Sequence, residues 1–364
     1  MAGTARHIFT GTNTPEGFFS YKQYLLDRDA ADKIAYIKGG PRSGKSAFMK
    51  KIGESMLEDG CDVDFMHRAD YHCSLDGILL RDKKAAIIDG MSPPFSVDPG
   101  AVDSVIHLGD YWNESGVENN RDAFKGAGDK IKDMLGLAYN YFAAAAKMYD
   151  NLSGIYESAI LYEKLYRITA EIIGNEFAHR ELSSKEGGVG KYFVSSITAA
   201  GFENYIDTLA ENCQKVYLIH APIGLGSERL LTLFMDGALC RGFRAEGYYC
   251  PMKPAEKLEH LLIPELRLAF ITSNQYHAID RSAVKADVTS IDLSDMIRYD
   301  RVMRQKGILA DSKKKMDELL EKGVGCLRLA KEEQDEMEKF YVPTMDFLKI
   351  DALRQETARK FSQR

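Results

Sequence analysis

The sequence predicts a duplicated α/β fold, with a parallel sheet flanked by helices in each copy. Three observations predict it. A glycine-rich motif stands between a strand pattern and a helix pattern, the same run of patterns returns in the second half, and helical spacing follows each copy.

The motif is Gly39 to Ser46, GGPRSGKS, which fits G-x-x-x-x-G-K-[ST]. Ile34-Ala35-Tyr36-Ile37 before it is a short apolar run of strand type. Phe48, Met49 and Ile52 after it fall on one helical face. Strand, glycine loop and helix together make a P-loop. Glycines let backbone N–H groups turn toward phosphate oxygens, and the helix N-terminus adds positive potential. The expected nucleotide contacts are Gly39, Gly40, Pro41, Arg42, Ser43, Gly44, Lys45, Ser46 and Ala47. Lys45 is placed on the β- and γ-phosphates, and Ser46 on Mg²⁺. Asp89 closes the apolar run Ala85-Ala86-Ile87-Ile88. A carboxylate at a strand's C-terminal end sits where open α/β sheets take ligands, so Asp89 is the expected organiser of the Mg²⁺. Lys45 and Asp89 are the expected catalytic pair. There is no N-K-x-D motif of the GTPase kind, so ATP is the expected nucleotide.

The repeat is read from identities in near-constant register. Phe9 matches Phe193, Thr14 matches Thr198, Gly17 matches Gly201 and Tyr21 matches Tyr205 (201 − 17 = 184). After a two-residue deletion, Ile37 falls on Ile219 and Gly44 on Gly226 (226 − 44 = 182), and Asp89 falls on Thr272 (272 − 89 = 183). The second copy has lost the chemistry. Ser227 stands where the first copy has Lys45, Glu228 where it has Ser46, and Thr272 where it has Asp89. A carboxylate in that loop repels phosphate. One working nucleotide site, in the first half, is the expectation.

In chain order, His7 to Gly11 reads as a strand, Thr14 to Gly17 as a turn, and Phe18 to Leu26 as an amphipathic helix. Asp62 to Met66 and Ser104 to Leu108 read as strands, the latter with Val288 to Leu293 as its partner. From Val117 to Leu182 the spacing is helical, with a hairpin hinge expected at Asn151 to Gly154 and a coiled seam through Leu161, Leu165, Ile168 and Ile172. The aromatic and alanine-rich stretch Tyr139 to Tyr149 is expected to be packing surface. The second helical tail is expected to be shorter: Ser312 to Glu321, Val324 to Phe340, and a last helix from Ile350 to Phe361 after Pro343. The expected units are 1–112, the first α/β copy; 113–185, a helical hairpin; 186–298, the altered copy; and 299–364, a helical tail.

Composition narrows the function classes. The chain has 364 residues, 45% apolar and 28% charged, which is ordinary globular composition. Its net charge of −6 argues against a broad nucleic-acid-binding surface. No uncharged apolar run has the length of a membrane span. The opening MAGTARHIFTG lacks a leader pattern, and the six cysteines contain no C-x-x-C pair, so reduced thiols in the cytoplasm are expected. The cluster from His67 to Gly77 has no standard zinc spacing; acceptor binding and a plain polar loop both remain open for it. Arg229, just after the altered loop, is a weak candidate for a cis arginine finger. No glutamate follows Asp89, only Gly90-Met91-Ser92-Pro93-Pro94, which leaves slow ATP hydrolysis, phosphoryl transfer to a small acceptor, and a non-hydrolysing scaffold as readings. A protein partner is expected on the helical arms.

FTGTNTPEGFFSY, IKGGPRSGKSAFMKKIG, HCSLDG, AAIIDG, HLGDYW and YVPTMDF together resemble a bacterial family of tandem P-loop ATP-binding proteins with one intact and one altered loop. The resemblance spans nearly the whole chain. It implies a P-loop NTPase fold and nucleotide binding on Gly39 to Ser46 with Asp89. The chain departs from the family's Pro-Gly-Thr-Gly-Lys-Ser in having Arg42 and Ser43 after Pro41, and Arg42 in place of glycine restricts the loop backbone.

Overall fold

The computed structural model describes residues 3–25, 33–40, 43–69, 74–90, 104–111, 121–184, 187–279, 281, 284–341 and 345–362. Eight strands in the first half are β1 Ala5–Phe9, β2 Gly11–Thr14, β3 Gly17–Ser20, β4 Lys33–Lys38, β5 Val63–His67, β6 Leu75–Leu80, β7 Ala85–Asp89 and β8 Ser104–His107. Eight more follow: β9 Val189–Tyr192, β10 Ser195–Thr198, β11 Gly201–Asn204, β12 Lys215–His220, β13 Ala245–Tyr249, β14 Leu258–Ile263, β15 Leu268–Ser273 and β16 Asp287–Asp292. The helices are α1 Lys22–Leu25, α2 Lys45–Glu58, α3 Arg121–Glu157, α4 Tyr162–Ile173, α5 Ile206–Ala210, α6 Glu228–Leu239, α7 Tyr299–Arg304, α8 Lys306–Tyr341 and α9 Phe347–Ser362.

The two six-stranded sheets have one topology. The first runs β1-β5-β6-β7-β4-β8, and the second, in corresponding order, β9-β13-β14-β15-β12-β16. A two-stranded hairpin, β2–β3 or β10–β11, follows the first strand of each. The expected all-parallel sheet is corrected in one place. β6 is antiparallel to both β5 and β7, and β14 to both β13 and β15. Only Arg81 to Lys84 join β6 to β7, and four residues turn a hairpin but cannot build a crossover. The expected helix from Phe18 is also corrected. Gly17, at φ +107°, turns β2 back into β3, and among the described residues there only the four of α1 are helical.

Alternation along the strands sorts the core. Ala35 and Ile37 of β4 face α2, whereas Ile34 and Tyr36 face the other sheet. The inner core joins Ile8, Tyr36, Met66 and Ile88 to Tyr192, Leu218, Tyr248 and Ile271, with Ile206 and Leu209 of α5. The two halves therefore share a core. An approximate two-fold axis relates them. Phe9 and Phe193, equivalent by 193 − 9 = 184, exchange backbone hydrogen bonds of 2.8 and 3.1 Å. Thr12 and Ser196, equivalent by 196 − 12 = 184, meet through their hydroxyls at 2.9 Å. Contact between like residues is the mark of an isologous interface.

The same relation extends to the helices. α3 and α8 begin at equivalent positions (306 − 121 = 185), as do α4 and α9 (347 − 162 = 185). α3 and α8 pack antiparallel, with Lys130 against Glu333 and Asn151 against Ser312. The expected shorter second tail is thus corrected: α8 has 36 residues against 37 in α3, and it is unbroken through Glu321 to Val324. The expected hinge at Asn151 to Gly154 lies inside α3. Packing along α8 outweighs the helix cost of one glycine. Ala138, Phe142, Ala145 and Tyr149 are buried in this helix pair, as the packing-surface expectation requires. The seam of α4 does not close on α3. Leu165 and Ile172 pack with Leu230, Leu231 and Phe234 of α6, in the second half. Reciprocally, Ile350, Ala358 and Phe361 of α9 pack with Phe48 and Ile52 of α2 in the first half. Each half is covered by the other's terminal helix. Pro343 lies outside the described residues.

Candidate functional site

β4 and β7 are adjacent and parallel, with Ile37 opposite Asp89. That pairing brings the end of the glycine loop beside the aspartate. Lys45, the first residue of α2, folds back so that Nζ lies 3.0 Å from Asp89 Oδ1 and 3.3 Å from the Gly39 carbonyl oxygen. Both side chains are buried. Gly44 at φ +84° makes the bend into α2, a conformation that disfavours any Cβ. A Cβ on Gly39 would meet Ser43 Oγ at 2.5 Å and Leu108 Cβ at 3.2 Å, so the loop packs closely there. Ser43 is buried, and its hydroxyl has no hydrogen-bond partner among the described residues. Ser46 Oγ accepts the Leu75 N–H at 2.9 Å, which ties the start of α2 to the start of β6.

Around this pair stand groups less visible in the sequence. Arg68 Nη1 is 3.5 Å from Asp89 Oδ2 and 3.6 Å from Asp76 Oδ1. Lys22 Nζ, fully buried, is 3.0 Å from Asp76 Oδ2, and Thr10 Oγ1 donates to the same oxygen at 3.2 Å. Arg68 and Asp76 belong to the polar cluster singled out from His67 to Gly77; Lys22 had no sequence signal, since it reaches the site only because the β2–β3 hairpin returns the chain there. Among the described residues, three cationic and two anionic side chains, Lys22, Lys45 and Arg68 with Asp76 and Asp89, meet at one sheet edge. Gly39, Gly40, Ser43, Gly44, Lys45, Ser46, Ala47 and Asp89 are placed together; Pro41, Arg42, Asp70 to Cys73 and Met91 to Pro94 lie outside the described residues.

The second half shows what replaces this chemistry. Thr272 Oγ1 donates to Ser227 Oγ at 2.9 Å, a neutral bond at the positions of Asp89 and Lys45. Glu228 turns its carboxylate onto its own loop, where a Cβ on Gly226 would meet Oε1 at 2.6 Å. The position of Asp76 is taken by Glu259 (259 − 76 = 183), which pairs with Lys257 at 2.8 Å in full burial. Burial opposes that carboxylate's charge, yet the Lys257 ammonium and His277 hold its pKa well below the usual range. Arg229 does not serve as the arginine finger in this arrangement. Its guanidinium lies 4.9 Å from the Tyr162 ring centre and donates to the Tyr166 hydroxyl, both on α4.

Among the described residues, no group of three or more metal-capable side chains is clustered and no helix is long and apolar enough to cross a membrane. The described cysteines are unbridged. No family model, curated protein or solved structure matches the chain.

Proposed function

We propose that the first half binds Mg²⁺–ATP on the loop Gly39 to Ala47 and hydrolyses it slowly. The observation that carries this reading is Lys45 Nζ at 3.0 Å from Asp89 Oδ1, beside a loop in which Gly44 takes φ +84°. With nucleotide bound, Lys45 would exchange the aspartate for phosphate oxygens, and Ser46 and Asp89 would hold the Mg²⁺, which would offset phosphate charge. The residues fit that ion: a hydroxyl and a carboxylate on neighbouring elements, with the substrate's phosphates completing the shell, as Mg²⁺ prefers. In the reaction water oxygen bonds to the γ-phosphorus, the bond to the β–γ bridging oxygen breaks, the water's proton passes to a phosphate oxygen, and ADP and inorganic phosphate leave. Arg68 is close enough to Asp89 to offset charge there. The slow rate rests on the sequence after Asp89, where glycine stands in place of a base.

Titration calorimetry of the wild type and Lys45→Ala with ATP, GTP and ADP, each with Mg²⁺, tests the reading, followed by phosphate release from the same samples. One lost charge-assisted contact of about 1.5–3 kcal/mol predicts a roughly 10- to 100-fold weaker ATP affinity in the variant. Equal affinity in both proteins, or no binding to the wild type, overturns it. Binding without phosphate release retains the site and removes the hydrolase.

A further inference from the structure

The second sheet ends in a row of three polar side chains. Ser273 on β15, His220 on β12 and Asp292 on β16 are register partners, so they stand side by side at the C-terminal ends of parallel strands. Open α/β sheets take ligands at that edge. All three line one cavity of about 410 Å³, whose other wall includes Tyr156 from α3 and Leu309 from α8, with Lys313 also on α8. Asp292 Oδ1 accepts the Ser294 N–H at 2.8 Å, which fixes the carboxylate. Its Oδ2, the His220 ring nitrogens and the Ser273 hydroxyl have no partner among the described residues. A cavity of this size, with an aromatic and aliphatic wall facing a few convergent polar groups, has the build of a small-molecule site.

We infer that this cavity binds an uncharged, nucleoside-sized molecule: a ring face against Tyr156 and Leu309, and hydroxyl groups on Ser273, His220 and Asp292. The lining lysine, Lys313, is already paired with Asp317 at 3.0 Å, and the altered loop beside the cavity disfavours phosphate. Ser227 replaces the lysine, and Glu228 places a carboxylate against Gly226. The second half would then keep the ligand edge of its fold while refusing the charged part of a nucleotide. This inference stands apart from the ATP site, and its test uses protein in which that site is weakened.

The experiment is calorimetry on full-length Lys45→Ala with adenosine, guanosine, cytidine and uridine, with AMP as the phosphate-bearing control. The expected result is saturable 1:1 binding of at least one nucleoside, at least tenfold weaker binding of AMP than of adenosine if adenosine is the ligand, and a tenfold or greater loss in both His220→Ala and Asp292→Asn. Asp292→Asn keeps an acceptor for the Ser294 N–H, and His220 is exposed, so one of the two remains informative if the other unfolds; circular dichroism checks both. No saturable binding of any of the four nucleosides overturns the proposal. Undiminished binding in the folded variants, or AMP binding as tightly as adenosine, overturns it as well.

Discussion

At the scale of single residues, the buried polar groups tie stability to pH. His260 is 1% exposed; its Nδ1 accepts the Thr272 N–H at 3.1 Å, and Nε2 has no partner among the described residues. Burial, reinforced by neighbouring His277 and Lys257, pushes its pKa well below the ordinary value, so folding opposes its protonation. Its unfolded counterpart gains a proton as pH falls through about 6.5. The unfolded state then binds more protons than the native state, and stability declines by about 1.4 kcal/mol per pH unit for this one group until the folded pKa is reached. His7, also lowered by burial, adds to the same limb. Glu259 acts further down: its depressed pKa contributes stability above the unfolded value of about 4.3, lost as pH falls through its folded value. Urea unfolding at pH 7.5, 6.5 and 5.5 should show the decline, and His260→Gln, which keeps an acceptor for Thr272, should flatten it. Equal slopes in both proteins would remove His260 from the account.

At the scale of elements, the helix pair α3–α8 gives two neighbouring glycines opposite roles. A Cβ on Gly323 would meet the Phe142 ring at 2.3 Å, and Phe142 is fully buried. A Cβ on Gly325 meets nothing within 4 Å. Gly323→Ala should therefore destabilise by about 1–3 kcal/mol through overpacking. Gly325→Ala should stabilise by about 0.5–1 kcal/mol, through helix propensity and a less flexible unfolded chain. Denaturant midpoints decide the signs, and two shifts in the same direction would contradict the close approach. The elements also show what was legible in the sequence. β4, β7 and their counterparts were readable because strands covered on both faces appear as unbroken apolar runs. The loop residues and Asp89 were readable because their spacing is local. The antiparallel β6 was not, since apolar runs carry no direction. Nor was the Lys22–Asp76 pair, because a buried lysine looks like a surface one until its long-range partner is known. The equivalence of α3 with α8 was hidden because helix surfaces keep a pattern more readily than identities.

At the scale of the whole molecule, the exchange of terminal helices decides whether the halves are independent. α9 supplies Ile350, Ala358 and Phe361 to the core over α2, and α4 supplies Leu165 and Ile172 to the core over α6. Between the sheets, Arg6 pairs with Asp64 at 2.6 Å and with Glu246 of the second sheet, all three buried. A separated first half loses three things at once: the cover on α2, the α8 partner of α3, and one carboxylate partner of a buried guanidinium. Such an uncompensated network is expected to cost several kcal/mol, comparable with a whole domain's stability. Residues 1–185 expressed alone should therefore lack a cooperative unfolding transition, and so should residues 186–364. Co-expressed, the two pieces should elute together at the size of the intact chain, because the isologous contacts at Phe9–Phe193 and α3–α8 need no covalent link. Size-exclusion chromatography and thermal unfolding measure both. A first piece that unfolds cooperatively by itself would show that α9 is an accessory cover. It would also mean that α9 does not tie the loop Gly39 to Ser46 to the fold of the second half. A Cβ on Gly44 would stand 3.6 Å from the Phe347 ring, so among the described residues α9 is the terminal helix that touches the loop.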